Sequence, residues 1–308
     1  MHSHAHHSHS HGSSAFATVT LVNLAYTLLE AGYGFATNSL ALLSDALHNF
    51  GDVLGLALAW AAAVIARRAP TERHTYGWRR ATLLSPLANS LLLVAFAGAL
   101  GWEAVRRFNA PPEIPALPVI VVAAIGIAVN LGAAWLVRDG HVHDLNRRAA
   151  FLHLIADAAV SLAAVLAGLG MWWMGWSWLD PATAVLVGLV VAIGAFGLLR
   201  ESFDAAMDAV PRSVDQSQVR DFLSGLPGVQ AVHHLHIWSL GAGEIAMTAH
   251  LVRPRDAGRD AGGPDHDAFI DHINHELDHR FGINHPTLQV EHGKACEHDR
   301  HDRAPHGH

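Results

Sequence analysis

Cysteine is nearly absent: Cys296 stands alone in 308 residues. No internal disulfide can form, so pairing says nothing of the redox compartment, and metals that demand several thiolates have no donors here. Charge is also scarce. Asp, Glu, Lys and Arg make up 15% of the chain, against about 25% in an ordinary soluble domain. The 20 Lys and Arg do not outnumber the 27 Asp and Glu, which excludes a nucleic-acid-binding surface driven by basic charge. The opening run MHSHAHHSHSHG has neither the basic segment nor the small-residue cleavage site of a secretory signal. Its histidines are interrupted, and it reads as native sequence rather than a purification tag.

What is abundant is apolar surface and histidine. Hydrophobic residues form 51% of the chain, and there are 25 histidines. Six apolar segments, at roughly 14–37, 39–66, 82–107, 115–138, 148–173 and 178–200, each approach the ~20 residues that a helix needs to cross hydrocarbon. Basic residues crowd two of the connecting loops: Arg67, Arg68, Arg73, Arg79 and Arg80 after the second segment, Arg138, Arg147 and Arg148 after the fourth. Arg106 and Arg107 dissent. This asymmetry predicts that both basic loops, and with six spans both termini, face the cytoplasm.

Beyond Arg200 the composition becomes that of a soluble domain. Helical periodicity at 214–226 and 265–281, and strand-like alternation at 229–238, 244–253 and 286–291, give an αββαβ order. The expected fold is therefore an all-α membrane domain of six transmembrane helices followed by a small α+β domain with one sheet face covered by helices. Expected boundaries are 1–13 for a His-rich tail, 14–208 for the membrane domain, 209–292 for the cytoplasmic domain and 293–308 for a second His-rich tail. Such tails suit loose metal collection better than an ordered site.

The second span holds His48 and Asp52, and the fifth holds His153 and Asp157. Each is an HxxxD pair, and a spacing of four puts both side chains on one helix face. An ionised Asp at the bilayer centre costs about 2.5–3.5 kcal/mol on insertion scales, so these groups require a partner or a water-filled cavity. Two imidazoles and two carboxylates suit a tetrahedral Zn²⁺ ion, and the carboxylates neutralise its charge. Ca²⁺ and Mg²⁺ want more oxygens, while Co²⁺ and Cd²⁺ stay open. Asp45, three residues before His48, reads as a supporting group; Glu30, Asn23, Asn89 and Asn130 read as interhelical hydrogen-bonding groups.

The run Asn38-Ser39-Leu40-Ala41-Leu42-Leu43-Ser44-Asp45-Ala46 before His48 and Asp52 resembles the cation diffusion facilitator family. So do Arg73-His74-Thr75-Tyr76-Gly77-Trp78-Arg79, the HxxxD of the fifth span, Asp180-Pro181, His233-His234-Leu235-His236-Ile237-Trp238 and Thr287-Leu288-Gln289-Val290-Glu291. The resemblance implies a homodimeric exporter of cytoplasmic zinc or related metals (Co²⁺, Cd²⁺), driven by proton antiport and ending in a metallochaperone-like domain. It makes His48, Asp52, His153 and Asp157 the transport site. It also implies a second metal site, with Zn²⁺ as a structural ligand, at His233, His250, His285 and Glu291. Alternation puts His233 on one face with Val229, Ala231, Leu235 and Ile237, which is also the signature of a buried structural histidine. Some relatives carry another site in the loop after the second span; here Thr71 and Trp78 stand at two of its positions beside His74, and it is not carried over. The family pattern also opposes Arg80 to Asp208. His272, His275 and His279 have helical spacing and read as a solvated face.

Two other readings compete: a membrane-anchored metal sensor, and an integral-membrane zinc hydrolase. The hydrolase would keep an open coordination position for water, and four protein ligands leave none. A sensor would have no need of ligands inside two separate spans. The expected partners are a second copy of the chain, lipid, divalent metal ions and protons, and no nucleic acid. The expected location is a bacterial inner membrane.

Overall fold

The structure, a computed structural model, describes residues 10–138, 145–241, 243–254 and 266–292. Residues 1–9 and 293–308 of the His-rich tails, Cys296 among them, and most of the Gly- and Asp-rich stretch between Pro254 and Pro264 lie outside the described residues. The elements in chain order are α1 (Ser10–Thr37), α2 (Leu40–Ala66), α3 (Ala81–Phe108), α4 (Ala116–Val137), α5 (Leu145–Met174), α6 (Leu179–Ala206), α7 (Gln216–Ser224), β1 (Ala231–Gly241), β2 (Glu244–Val252), α8 (His266–Phe281) and β3 (His285–Glu291). Among the described residues, α2 to α6 are long and apolar enough to cross a membrane by length and composition. The sixth helix is α1, which is as long but carries Asn23, Thr27 and Glu30. The membrane part is all-α and is followed by a small α+β domain, as the hydropathy pattern predicts.

The chain falls into two compact units, Met1–Leu58 with Ala88–Leu199, and Ala59–Leu87 with Arg200–His308. In the first, α4 packs against both α5 and α1. Small residues allow the approach: a Cβ on Gly126 of α4 would run into the Tyr26 hydroxyl of α1 and lie 3.0 Å from Ser161 Oγ of α5. Gly51, next to Asp52 on α2, plays the same part toward Leu93 of α3. Close packing of side chains over small residues favours helix association where lipid removes the hydrophobic advantage.

In the second unit, β1, β2 and β3 form one sheet in that order, with β1 antiparallel to β2 and β2 parallel to β3. Leu235, Ile237, Met247, Ala249 and Leu251 pack against Val219 and Leu223 of α7 and Phe269, Ile273 and Leu277 of α8. Both helices therefore cover one sheet face. Asp215 caps α7, its Oδ1 accepting the Ser217 N–H at 2.9 Å and the Gln218 N–H at 3.4 Å. These bonds favour the carboxylate, with the Ser217 hydroxyl bond the largest contribution, and hold the Asp215 pKa below its ordinary value.

The β1–β2 register carries one irregularity that matters for the chemistry. His233 pairs with His250, but His236 pairs with Thr248, so β1 has one extra residue between them. The bulge contains His234, whose φ of 50° lies in the left-handed region. Side chains alternate along a strand, so one inserted residue reverses which face precedes it. Leu235 and Ile237 keep the core face, while His233 is turned to the face of His250. This corrects the simple alternation, which set His233 among the core residues.

Candidate metal sites

Four-residue spacing stacks His48 and Asp52 on one face of α2, and His153 and Asp157 on one face of α5. The two faces meet, and the pairs cross. His48 Nε2 lies 3.1 Å from Asp157 Oδ1, and His153 Nε2 lies 3.0 Å from Asp52 Oδ2. His153 Nε2 is also 3.7 Å from Asp157 Oδ2, and the two imidazole centres are 5.9 Å apart. Zn–N and Zn–O bonds of 2.0–2.2 Å put neighbouring ligand atoms of a tetrahedral site about 3.4 Å apart. The observed separations bracket that value. Asp52, His153 and Asp157 each bring a ligand atom within 4.8 Å of the other two, and His48 joins this trio through Asp157. Asp157 is 1% exposed and His153 47%: one wall of the cluster is closed and the other reachable.

Beside it lies a second polar layer. The Tyr26 hydroxyl donates to Glu30 Oε1 at 2.7 Å, and Asn49 Nδ2 reaches Glu30 Oε2 at 3.4 Å and Asp45 Oδ1 at 3.5 Å. Ser161 Oγ donates to Asp45 Oδ2 at 2.9 Å. Asp45 thus supports the region through Ser161, one turn beyond Asp157 on α5. Glu30 makes the interhelical bond expected of it, from Asn49 of α2. Asn130 departs from expectation: it is fully buried, and neither side-chain amide atom has a hydrogen-bond partner. Sequence reasoning passed over Ser161, Tyr26 and Asn49, because a lone hydroxyl or amide in an apolar run carries no periodic signal.

In the soluble domain, the bulge brings His233 Nε2 to 3.1 Å from Glu291 Oε2, and His250 Nδ1 lies 2.9 Å from Glu291 Oε1. The ring centres are 5.0 Å apart. Burial pushes the Glu291 carboxyl up, but the bonds from His250 and His233 outweigh it and hold its pKa below the usual carboxylate value. The donor set, two imidazoles and a carboxylate whose nitrogen and oxygen atoms lie within 4.8 Å of one another, fits a Zn²⁺ ion. His285 is not part of this group. It begins β3 and Glu291 ends it, a separation of about 20 Å along an extended strand. Its Nε2 instead lies 3.6 Å from Glu244 Oε2 and 3.5 Å from Arg79 Nη1, and Arg79 pairs with Glu244. His74 stacks on Trp78 with ring centres 4.4 Å apart. Arg80 Nη2 donates to Asp208 Oδ1 at 2.8 Å, so the opposed pair expected there is present.

A helical membrane domain with crossed His–Asp pairs between two spans, joined to a sheet-and-helix domain with its own His/Glu cluster, defines an integral-membrane metal-cation transporter. Residues 17–205 match the cation efflux transmembrane domain, and residues 211–293 match the cation efflux protein cytoplasmic domain. The chain belongs to this cation efflux, or cation diffusion facilitator, family of zinc, cobalt and cadmium exporters, which are transporters and not enzymes. It is 36% identical to the zinc transporter ZitB of Escherichia coli K12 over 283 residues, covering 89% of this chain and 87% of that one. It is 33% identical to the cadmium, cobalt and zinc/H(+)-K(+) antiporter of Bacillus subtilis 168, covering 89% and 87%. It is 34% identical to the metal cation efflux system protein CzcD of Cupriavidus metallidurans CH34, covering 86% and 82%.

Proposed function

We propose that this chain exports Zn²⁺ from the cytoplasm in exchange for protons, and that His48, Asp52, His153 and Asp157 hold the ion in transit. The observation that carries the reading is the crossed pairing of His48 with Asp157 and of His153 with Asp52. It supports a shared site: Asp52, His153 and Asp157 each offer a ligand atom within 4.8 Å of one another, and His48 is held beside them by Asp157. A metal-binding imidazole must give up the proton on its ligating nitrogen, so ion and proton compete for the same atoms. Zn²⁺ displaces protons when the site faces the cytoplasm; protons displace Zn²⁺ when it faces outward. The names of the relatives support this class of cargo, and that of the Bacillus subtilis protein includes protons. Co²⁺ and Cd²⁺ are the other ions the donor set suits.

His233, His250 and Glu291 would hold a resident Zn²⁺ in the cytoplasmic domain, tying β1, β2 and β3 together as a cross-link. The matched domain is named for dimerisation, and a homodimer follows. The bacterial relatives and the two arginine-rich loops support an inner-membrane location with cytoplasmic termini.

The test is zinc flux into proteoliposomes carrying an enclosed zinc dye, with and without an imposed pH gradient. The intact protein should move zinc and respond to the gradient. Asp157→Ala should fold and show no flux, because three ligands and one carboxylate no longer balance the ion. Near-normal flux from Asp157→Ala would remove these four residues from the transport path.

A further inference from the structure

Phe269, Ile273 and Leu277 turn one face of α8 into the core, and this sends the opposite face to solvent. That face carries His272, His275 and His279, all exposed. His275 and His279 are four residues apart, with ring centres separated by 6.0 Å and planes inclined by 30°. The separation is nearly that of His48 and His153, 5.9 Å, and close to that of His233 and His250, 5.0 Å.

Two imidazoles on one tetrahedral ion, with Zn–N bonds of 2.0–2.1 Å, have ring centres about 5.2 Å apart. Closing the remaining gap needs only side-chain rotation, and exposed rings have no packing to disrupt. Paired histidines one turn apart on a helix face are a recurrent zinc-binding arrangement. The surrounding charge also suits a cation. Asp271 stands one turn before His275, and Asp278 precedes His279; both are exposed. Arg280, the lone Arg or Lys of α8, pairs with Glu276 at 3.7 Å and lies over the Phe222 ring at 5.1 Å. Its charge is thereby engaged away from the histidines.

We propose that His275 and His279 form a two-histidine clip for a borderline divalent ion (Zn²⁺, Co²⁺, Ni²⁺ or Cu²⁺) on the surface of the soluble domain. Asp271, one turn before His275, can add a carboxylate, and water completes the shell. With two imidazole ligands and open solvent, the clip exchanges its ion readily. It is a collecting position, distinct in residues and exposure from the cluster of His233, His250 and Glu291.

The test is residue-resolved carbethoxylation of the full-length protein in detergent, with Zn²⁺ alone as the probe and peptide mass spectrometry as the readout. In the intact protein, Zn²⁺ should slow modification of both His275 and His279. In His275→Gln, protection of His279 should be lost while the circular dichroism spectrum stays that of the parent. His279→Gln should do the same to His275. An absence of protection in the parent, or protection of His279 that persists in His275→Gln, overturns the clip.

Discussion

Asp180, in the first turn of α6, caps Leu40, in the first turn of α2: its Oδ2 accepts the Leu40 N–H at 2.8 Å. Its Oδ1 accepts the Ser39 hydroxyl at 2.5 Å and the Ala41 N–H at 3.2 Å. Ser39 Oγ in turn accepts the Leu42 N–H at 3.3 Å. The turn into α2 is held from another side by Arg107, which donates to the backbone oxygen of Asn38 at 2.7 Å and to its Oδ1 at 2.8 Å. A fully buried carboxylate from a distant helix therefore meets the unpaired N–H groups of α2, about 12 Å along the axis from His48.

Asp180→Ala should strand those N–H groups and destabilise the protein by about 3 kcal/mol, since a hydrogen bond to a charged group contributes roughly 1.5–3 kcal/mol. Asp180→Asn, which keeps one acceptor oxygen, should fall between the two. Denaturant unfolding in detergent measures both. Equal stability of the Ala variant and the parent would show that the cap does not hold α2.

Zinc affinity at the crossed site should fall as pH drops from about 7.5 to 5.5, because an unperturbed imidazole titrates near ~6.5. The fall should reach about two decades if two protons are displaced per ion. Calorimetry in buffers of different ionisation enthalpy reads the proton release directly. His153→Asp should flatten the dependence and admit Cd²⁺ more readily. A flat profile in the parent, without proton release, would end the antiport reading.

The bulge makes a prediction of its own. His234→Gly should preserve the register and stabilise the domain slightly, since glycine adopts positive φ without the roughly 1–2 kcal/mol cost of a Cβ. Deleting His234 should return His233 to the core face and abolish zinc binding by His233, His250 and Glu291. Equilibrium dialysis with a variant lacking the transport ligands separates this site from the other. Unchanged binding after the deletion would mean that the bulge does not orient His233.

Acid should weaken α7 through Asp215. Its folded pKa is lowered, so its stabilisation is complete above the unfolded value near ~3.9 and disappears as pH falls through the folded value. Asp215→Asn should cap the helix without this acid loss. Thermal unfolding followed across acidic pH compares the two proteins, and identical acid profiles would show that the cap does not titrate with folding.

The six membrane helices and the αββαβ order were legible in the sequence because apolar runs and alternation are local properties. Helix ends were less so. Composition turns polar at Arg200 and Glu201, yet α6 continues to Ala206, because backbone hydrogen bonding does not stop where hydropathy does. That His48 shares a helix face with Asp52, and His153 with Asp157, was likewise legible, since HxxxD fixes it. Which carboxylate meets which imidazole was not, because that depends on how α2 and α5 are aligned. Tertiary structure alone decided that His233 leaves the core face, that His285 sits with Glu244 and Arg79 instead of Glu291, and that Asp180 serves α2. Each of these turns on long-range register, where one extra residue in a strand or one turn of helix slide changes every partner. A local pattern carries no record of that choice.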